Sequence, residues 1–462
     1  MQVKGVHEHW SSRIAFLLAS IGAAVGLGNF WRFPYLAGVS GGGAFVIVYM
    51  LCVLAIALPI LMAELLIGRR GGLSAIGSTR KVARDEGHSG AWSVIGWIGM
   101  VASFLILTFY SVIAGWIIAY IPVAATGTFN GMSAESSGVQ FNRLMDNVLL
   151  QALCHGVFMA MTVYIVARGV RKGIELAVEI LMPLFFFMLL GVVAFSLYIG
   201  DVGRGLEFLF RPDFSKIDLA VVLAAIGQAF FSIGVGAAIM ITYGAYLNKD
   251  THIPRASLIV GLSDTAVAIL AGIAIFPLVF AFGLDPASGP GLIFVTLPVA
   301  FGQMPFGDIY AASFFVLALF AALTSSISLL EIFVSWAEEH HGWRRASAAV
   351  WSGGFAWFIG LANVLSTNVW KDFYPLGRFE VFAGKTFFDL FDYVTANIML
   401  PLGGVLVAVF AGWFMSRRST CDELGIGDGT LYRTWLFLVR YVAPIAIAAV
   451  LFYLTVGADI IG

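Results

Sequence analysis

Three sets of oxygen-bearing side chains lie where an apolar chain has least reason to put them. Asp264, in "GLSDTAVAILAGIAIF", is a carboxylate among aliphatic neighbours. Thr324 and Ser325, in "FAALTSSISLLE", follow Ala321 by three and four positions and share a helical face with it. Asn29 and Ser232 stand beside glycine pairs in "GLGNFWRFPY" and "GQAFFSIGVG". Carboxylate, amide and hydroxyl oxygens are hard donors, the kind that a hard cation prefers. A carboxylate in mid-membrane costs about 2.5–3.5 kcal/mol on insertion scales, so it marks function by default. The two hydroxyls also have a structural use, bonding back to carbonyls of their own helix, and spacing alone leaves both open. Glu64, in "PILMAELLIG", is a second intramembrane carboxylate and reads as an acceptor for backbone N–H groups freed by a broken helix. Arg32 and Asp392 form an outer charge pair or stand as two separate interfacial charges.

The elements that must position these groups are membrane helices. Of 462 residues, 60% are hydrophobic and 11% charged, with mean hydropathy +0.93. Soluble domains carry about a quarter charged residues, so this chain is an integral membrane protein. Long unbroken apolar runs select helices over a barrel. Eleven spans are expected near residues 12–37, 41–68, 91–124, 147–167, 173–200, 217–247, 256–283, 308–337, 346–363, 387–415 and 434–458. The first apolar run lacks a small-residue cleavage site, so a removable signal peptide is not expected.

With the N-terminus inside, inner segments hold 17 of the 26 Lys and Arg and outer segments 8, Arg440 remaining inside the last span. The positive-inside rule then puts the N-terminus in the cytoplasm and the C-terminus outside. Net charge −1 and the lack of a basic arm argue against nucleic acid. Cys52, Cys154 and Cys421 show neither metal nor disulfide spacing.

Two spans are weakened in their middles. The first holds Gly22, Gly26 and Gly28, and the sixth Gly234 and Gly236. Glycine is worse than alanine in a helix by about 1 kcal/mol. One glycine-rich span has an ordinary use in close helix packing. Two of them five spans apart, each carrying a polar side chain, point instead to a midplane site in a transporter built from repeats of opposite topology, 12–200 and 217–415, with span 11 (434–458) outside them. Unwound carbonyls then face a cation, and half-helix N-termini an anion.

These stretches resemble the neurotransmitter:sodium symporter family, and more closely its bacterial amino-acid transporters. The motifs are "GLGNFWRFPY", "GGGAF" leading span two, "GQAFF" and "TYGAY" around the sixth-span break, and "LTSS" in span eight. The resemblance implies a leucine-transporter-like fold, all-α, with a 5+5 inverted repeat and unwound helices 1 and 6. It implies two sodium sites. The first would use Ala24, Asn29, Ser232 and Asp264 together with the substrate carboxylate. The second would use carbonyls of Gly22, Val25 and Ala321 with the hydroxyls of Thr324 and Ser325.

The same resemblance places the substrate carboxylate at Tyr110 and the N–H groups near Leu27 and Gly28. Ala24, Gly26, Ile106, Phe231, Ser232, Gly234, Ala237, Ser326 and Leu329 would complete the pocket. Small residues at Gly234 and Ala237 leave room for a large hydrophobic or aromatic side chain. Arg32 and Asp392 would form the outer gate, with Phe294 nearby. An inner gate would join Glu338 or Glu339 to an N-terminal cation, here Lys4 or His7, since the family's Arg is missing.

Monoamine carriers of this family place Asp where this chain has Gly26, which argues for amino-acid substrates. Chloride-dependent members have Asn at the position of Asp264 and Ser at that of Ala268, so chloride is not expected as a cofactor. Asp264 would take up a proton once sodium leaves. The expected protein is therefore a sodium-coupled symporter in a prokaryotic plasma membrane, working by alternating access. The alternatives are an amino-acid-binding transceptor or regulatory protein without turnover, a symporter for another small zwitterion, and a channel. An enzyme is not expected. No nucleophile with a base or metal cluster is seen, and Gly-Leu-Gly-Asn lacks the strand–helix context of a dinucleotide turn.

Overall fold

The computed structural model describes residues 8–285 and 291–455. Among them, nine continuous helices are long and apolar enough to cross a membrane, and one bent pair makes a tenth. The bent pair is the first span: Arg13–Ala24, then a stretch running to Val39, with a 49° bend at the break. Its start is set by Ser12, whose hydroxyl accepts from the Ala15 N–H at 3.0 Å. The sixth span falls into Leu219–Ile233 and Ile239–Ala245. Each piece alone is too short for a bilayer that needs about 20 helical residues.

Depth in the bundle separates the helices by role. In Gly90–Ala125 (third) and Gly307–His341 (eighth), 78% of the most apolar window is buried; in Val148–Ala167, Val170–Ile199 and Thr430–Tyr453 (fourth, fifth, eleventh) only 33% is. The first pair is the internal spine, packed along one another, and the last three face lipid. The interrupted spans lie against this spine and against the second span, Gly43–Gly71, and the seventh, Ile253–Ala281. The eighth helix also runs further than 308–337, so Glu338 and Glu339 belong to its last turn.

Near the N-terminus, Trp10 is 1% exposed and wedged between Tyr243 and Tyr246. Its indole N–H donates to the Tyr243 carbonyl at 3.1 Å, and its backbone N–H to that of Tyr246 at 3.1 Å. The acids at the end of the eighth helix have partners among the described residues. Glu338 is held at 3.0 Å by Arg345, from the start of the ninth span, and Glu339 accepts from the Ser74 N–H. Arg345 also pairs with the fully buried Glu331, which accepts from the Tyr246 hydroxyl at 2.7 Å. Thus Glu331 and Glu338 share a cation from helix nine. Lys4 and His7 lie outside the described residues.

Removing one partner of a buried pair strands the other charge, at about 3–5 kcal/mol. Arg345→Met should therefore lower the thermal midpoint of the purified protein strongly. Arg345→Met with Glu331→Leu should recover most of that loss. An equal loss in the double variant would show that packing, not charge, holds this corner.

Arg440, the cation left inside the last span, also has a structural explanation. Its Nε donates to the Gly412 carbonyl, and its guanidinium lies 5.4 Å from the Trp413 ring centroid. It satisfies a free carbonyl in the last turn of the tenth helix, the end where a cation is favoured.

Candidate ion and substrate site

Both breaks are built by residues that cannot be exchanged freely. After Ala24 the chain turns extended at Val25 (ψ 110°). The Asn29 side chain then accepts from the Gly26 N–H at 2.9 Å, while the Asn29 N–H returns to the Gly26 carbonyl at 3.1 Å. A Cβ on Gly26 would lie 2.8 Å from Ser325 Oγ and 3.0 Å from the Tyr110 hydroxyl. A side chain there would push against both hydroxyls, and Ser325 Oγ would have to move.

In the sixth span, Gly234, Gly236 and Ala238 all have positive φ (71°, 85° and 61°). Ala238 is a non-glycine residue in this strained region, and such strain persists where the surroundings impose it. The freed N–H of Gly236 donates to Glu64 at 2.7 Å, the acceptor role read for that carboxylate. Ser103 donates to the Ala237 carbonyl at 2.7 Å.

The polar residues from separate spans meet beside these breaks. Asp264 is fully buried. One carboxylate oxygen accepts from Asn29 Nδ2 at 2.8 Å; the other accepts from Ser232 Oγ at 2.7 Å and from the Tyr49 hydroxyl at 3.4 Å. Asn29 Nδ2 also reaches Ser232 Oγ at 3.2 Å. Asp264 has no Lys, Arg or His within 4 Å among the described residues, and only neutral donors face its charge. Ala268, one turn further along the same helical face, is buried and brings no hydroxyl.

A second cluster joins the first and eighth spans. Ser325 Oγ lies 3.3 Å from the Gly22 carbonyl and 3.1 Å from those of Val25 and Ala321. Thr324 Oγ1 lies 3.1 Å from the Ala321 carbonyl and 3.2 Å from that of Phe320. The hydroxyls do bond back to their own helix. Yet a hydroxyl has one proton, and Ser325 faces three carbonyls. That surplus of acceptors is the chemistry of a cation site.

Between the two clusters lies a cavity bordered by every residue expected at the pocket wall except Ser326. The Ser326 hydroxyl is spent on Thr162 at 2.8 Å and on the Leu323 carbonyl at 2.9 Å. Ala23, Ile239, Ser325 and Leu400 also border the cavity. Leu400, from the tenth span, carries no polar or glycine signal that sequence reading could use. The Leu27 N–H points at the Tyr110 hydroxyl, 3.4 Å away. Phe231 borders the cavity, and its ring lies under the Arg32 guanidinium at 4.7 Å.

Arg32 and Asp392 attract one another without an N–O contact of 4 Å or less among the described residues. Such a gap suits a bridging water. Phe294 has no ring or hydrogen-bond contact with either residue among the described residues. It is 2% exposed and packed among Trp116, Tyr120, Phe141 and Phe315, a peg that anchors its loop to the scaffold.

An all-helical membrane protein with two helices broken around a buried cavity flanked by polar clusters belongs to the class of secondary transporters. Comparison with known proteins narrows the class. The sequence model of the sodium:neurotransmitter symporter family matches residues 7–137 and 136–459. The sodium-dependent transporter YhdH of Bacillus subtilis is 38% identical over 444 residues, 96% of each chain. A sodium-dependent transporter of Haemophilus influenzae is 32% identical over 96% of this chain and 97% of its own. The crystal structure of MhsT in complex with L-phenylalanine superposes with a TM-score of 0.87 at 42% identity, covering 96% of this chain and 99% of that one. The chain belongs to the sodium:neurotransmitter symporter family. It is a sodium-dependent, multi-pass membrane symporter of a small molecule, and not an enzyme.

Proposed function

We propose that this protein imports neutral amino acids with large hydrophobic or aromatic side chains, coupled to two sodium ions and independent of chloride. The observation that carries the reading is the cavity itself, flanked by the Asp264 cluster on one side and the Ser325 cluster on the other. The first ion takes Asp264, Asn29, Ser232 and the Ala24 carbonyl, and touches the substrate carboxylate. The second takes carbonyls of Gly22, Val25 and Ala321 with the hydroxyls of Thr324 and Ser325. The carboxylate rests on Tyr110 and the N–H groups of Leu27 and Gly28. Gly26 supplies no carboxylate at the position where monoamine carriers of the family have one. The apolar wall of Ile106, Phe231 and Leu329 suits a large side chain, and MhsT was crystallised with one such amino acid.

Transport then follows alternating access. Ions and substrate enter from outside, Arg32 and Asp392 close above Phe231, and spans 1, 2, 6 and 7 rock against spans 3, 4, 8 and 9. The positive-inside count orients the chain with its N-terminus in the cytoplasm and its C-terminus outside, in a prokaryotic plasma membrane. Each sodium moving inward gains about 2.3 kcal/mol per 100 mV.

Uptake into proteoliposomes tests the coupling. Replacing external sodium by potassium should abolish accumulation of a substrate found by a thermal-shift screen of the twenty amino acids. Undiminished accumulation in potassium would refute the coupling. Binding in the screen without accumulation in sodium would point to a transceptor.

A further inference from the structure

A groove open to the bilayer runs between the second, seventh and eleventh spans, away from the transport cavity. Its trough is apolar, walled by Leu54, Leu58, Met62, Leu258, Leu431 and Leu438. Its cytoplasmic end is polar. Arg255 is exposed there with no acidic partner within 4 Å among the described residues. His252 lies beside it; its Nδ1 accepts the Arg255 backbone N–H at 3.2 Å, which leaves the proton on Nε2 as a free donor. Ser257 borders the same groove, is fully buried, and its hydroxyl has no hydrogen-bond partner among the described residues. The Trp435 indole is already spent on the Pro59 carbonyl at 3.1 Å, so it serves as wall.

Two exposed donors, on Arg255 and His252, at the head of an apolar trough describe an amphiphile with an anionic end. We infer that the groove holds one anionic phospholipid of the inner leaflet, its phosphate on Arg255 and His252 and an acyl chain along the trough. The inner-leaflet placement rests on the proposed orientation. A cation at the membrane surface selects anionic over zwitterionic headgroups, and an aliphatic trough selects a chain. The groove joins spans 2 and 7, which move in the proposed cycle, to span 11, so the lipid would brace the moving bundle.

Native mass spectrometry of the purified full chain tests this with phosphatidylglycerol, phosphatidylcholine and inorganic phosphate added separately. One phosphatidylglycerol should be retained at least about fivefold better than phosphatidylcholine, as a cation at the membrane surface requires. Inorganic phosphate alone should not bind. Arg255→Gln should remove the headgroup preference, and Leu258→Trp should block the trough, while sodium-driven uptake persists in both. Arg418→Gln, a second exposed inner cation, should change nothing. The inference is overturned if Arg255→Gln and Leu258→Trp retain the lipid like the unaltered chain. It is overturned too if both lipids are held equally, or if Arg418→Gln is as damaging as Arg255→Gln. Retention is read without transport, so failure of the lipid site and failure of the symport reading are distinguishable.

Discussion

Asp264→Ala will cut sodium-driven accumulation by at least about 100-fold, because it deletes the one charged ligand that the protein itself gives the proposed first ion. The carboxylate is fully buried and faced only by Asn29, Ser232 and Tyr49. Charged groups contribute about 1.5–3 kcal/mol per hydrogen-bonded contact, and a loss of about 2.8 kcal/mol is 100-fold in affinity. Asp264→Asn keeps the oxygen but not the charge, and is the more informative variant. If a fixed negative charge beside the ion is what replaces chloride, the unaltered protein works equally in chloride and gluconate. The Asn variant, lacking that charge, should then depend on an added anion and lose any outward proton movement. Uptake of labelled substrate at graded sodium, in each anion, reads both. An Asp264→Ala protein that accumulates substrate normally would remove Asp264 from the mechanism.

Gly236→Ala will unmake the sixth-span break, whereas Gly234→Ala will only strain it. A Cβ on Gly236 would lie 2.2 Å from the Leu400 carbonyl and 3.0 Å from the Gly404 N–H, both backbone atoms that cannot swing aside. Its φ of 85° adds a backbone penalty for any L side chain. The left-handed conformation costs about 1–2 kcal/mol, and forcing atoms into a packed interior a further 1–3 kcal/mol or so. The shift would also carry the N–H away from Glu64. At Gly234 the same Cβ meets only Ile239 Cδ1, at 3.6 Å, so the conformational cost stands alone. We expect Gly236→Ala to lower the thermal midpoint severely and to lose substrate binding, and Gly234→Ala to bind with a smaller loss of stability. Equal stability of the two variants would show that the close approach of the tenth span is dispensable.

Much of this molecule was legible in the chain because burial in lipid is a severe constraint. A carboxylate at Asp264, an amide at Asn29 and paired glycines in two spans have no cheap place in hydrocarbon. Their presence located the midplane site, and the Lys and Arg asymmetry suggested the orientation. The acceptor role of Glu64 was readable for the same reason: an unwound helix must send its N–H groups somewhere. Other features had no such signal. Leu400 borders the cavity and its carbonyl crowds Gly236, yet in sequence it is one leucine of an apolar run. Ser326 sits next to Ser325, but a rotation of about 100° per helical residue turns it to Thr162 instead of the cavity. Phe294 carried a gating role only through the family resemblance, and its packing against Trp116, Tyr120, Phe141 and Phe315 had no local signal.

The inner end shows the division most clearly. The sequence supplied the acids Glu331, Glu338 and Glu339 and the cation Arg345, but their pairing depends on how helix eight ends and helix nine returns. Periodicity and composition are local, so they determined that the chain spans a membrane, which spans break, and which polar groups must find partners there. Partner choice is a matter of distances between segments tens to hundreds of residues apart. Only the packed bundle decided that Asp264 meets Asn29, that Gly236 meets Glu64 and Leu400, and that Arg345 closes on Glu331, because only in three dimensions do those atoms compete for the same space.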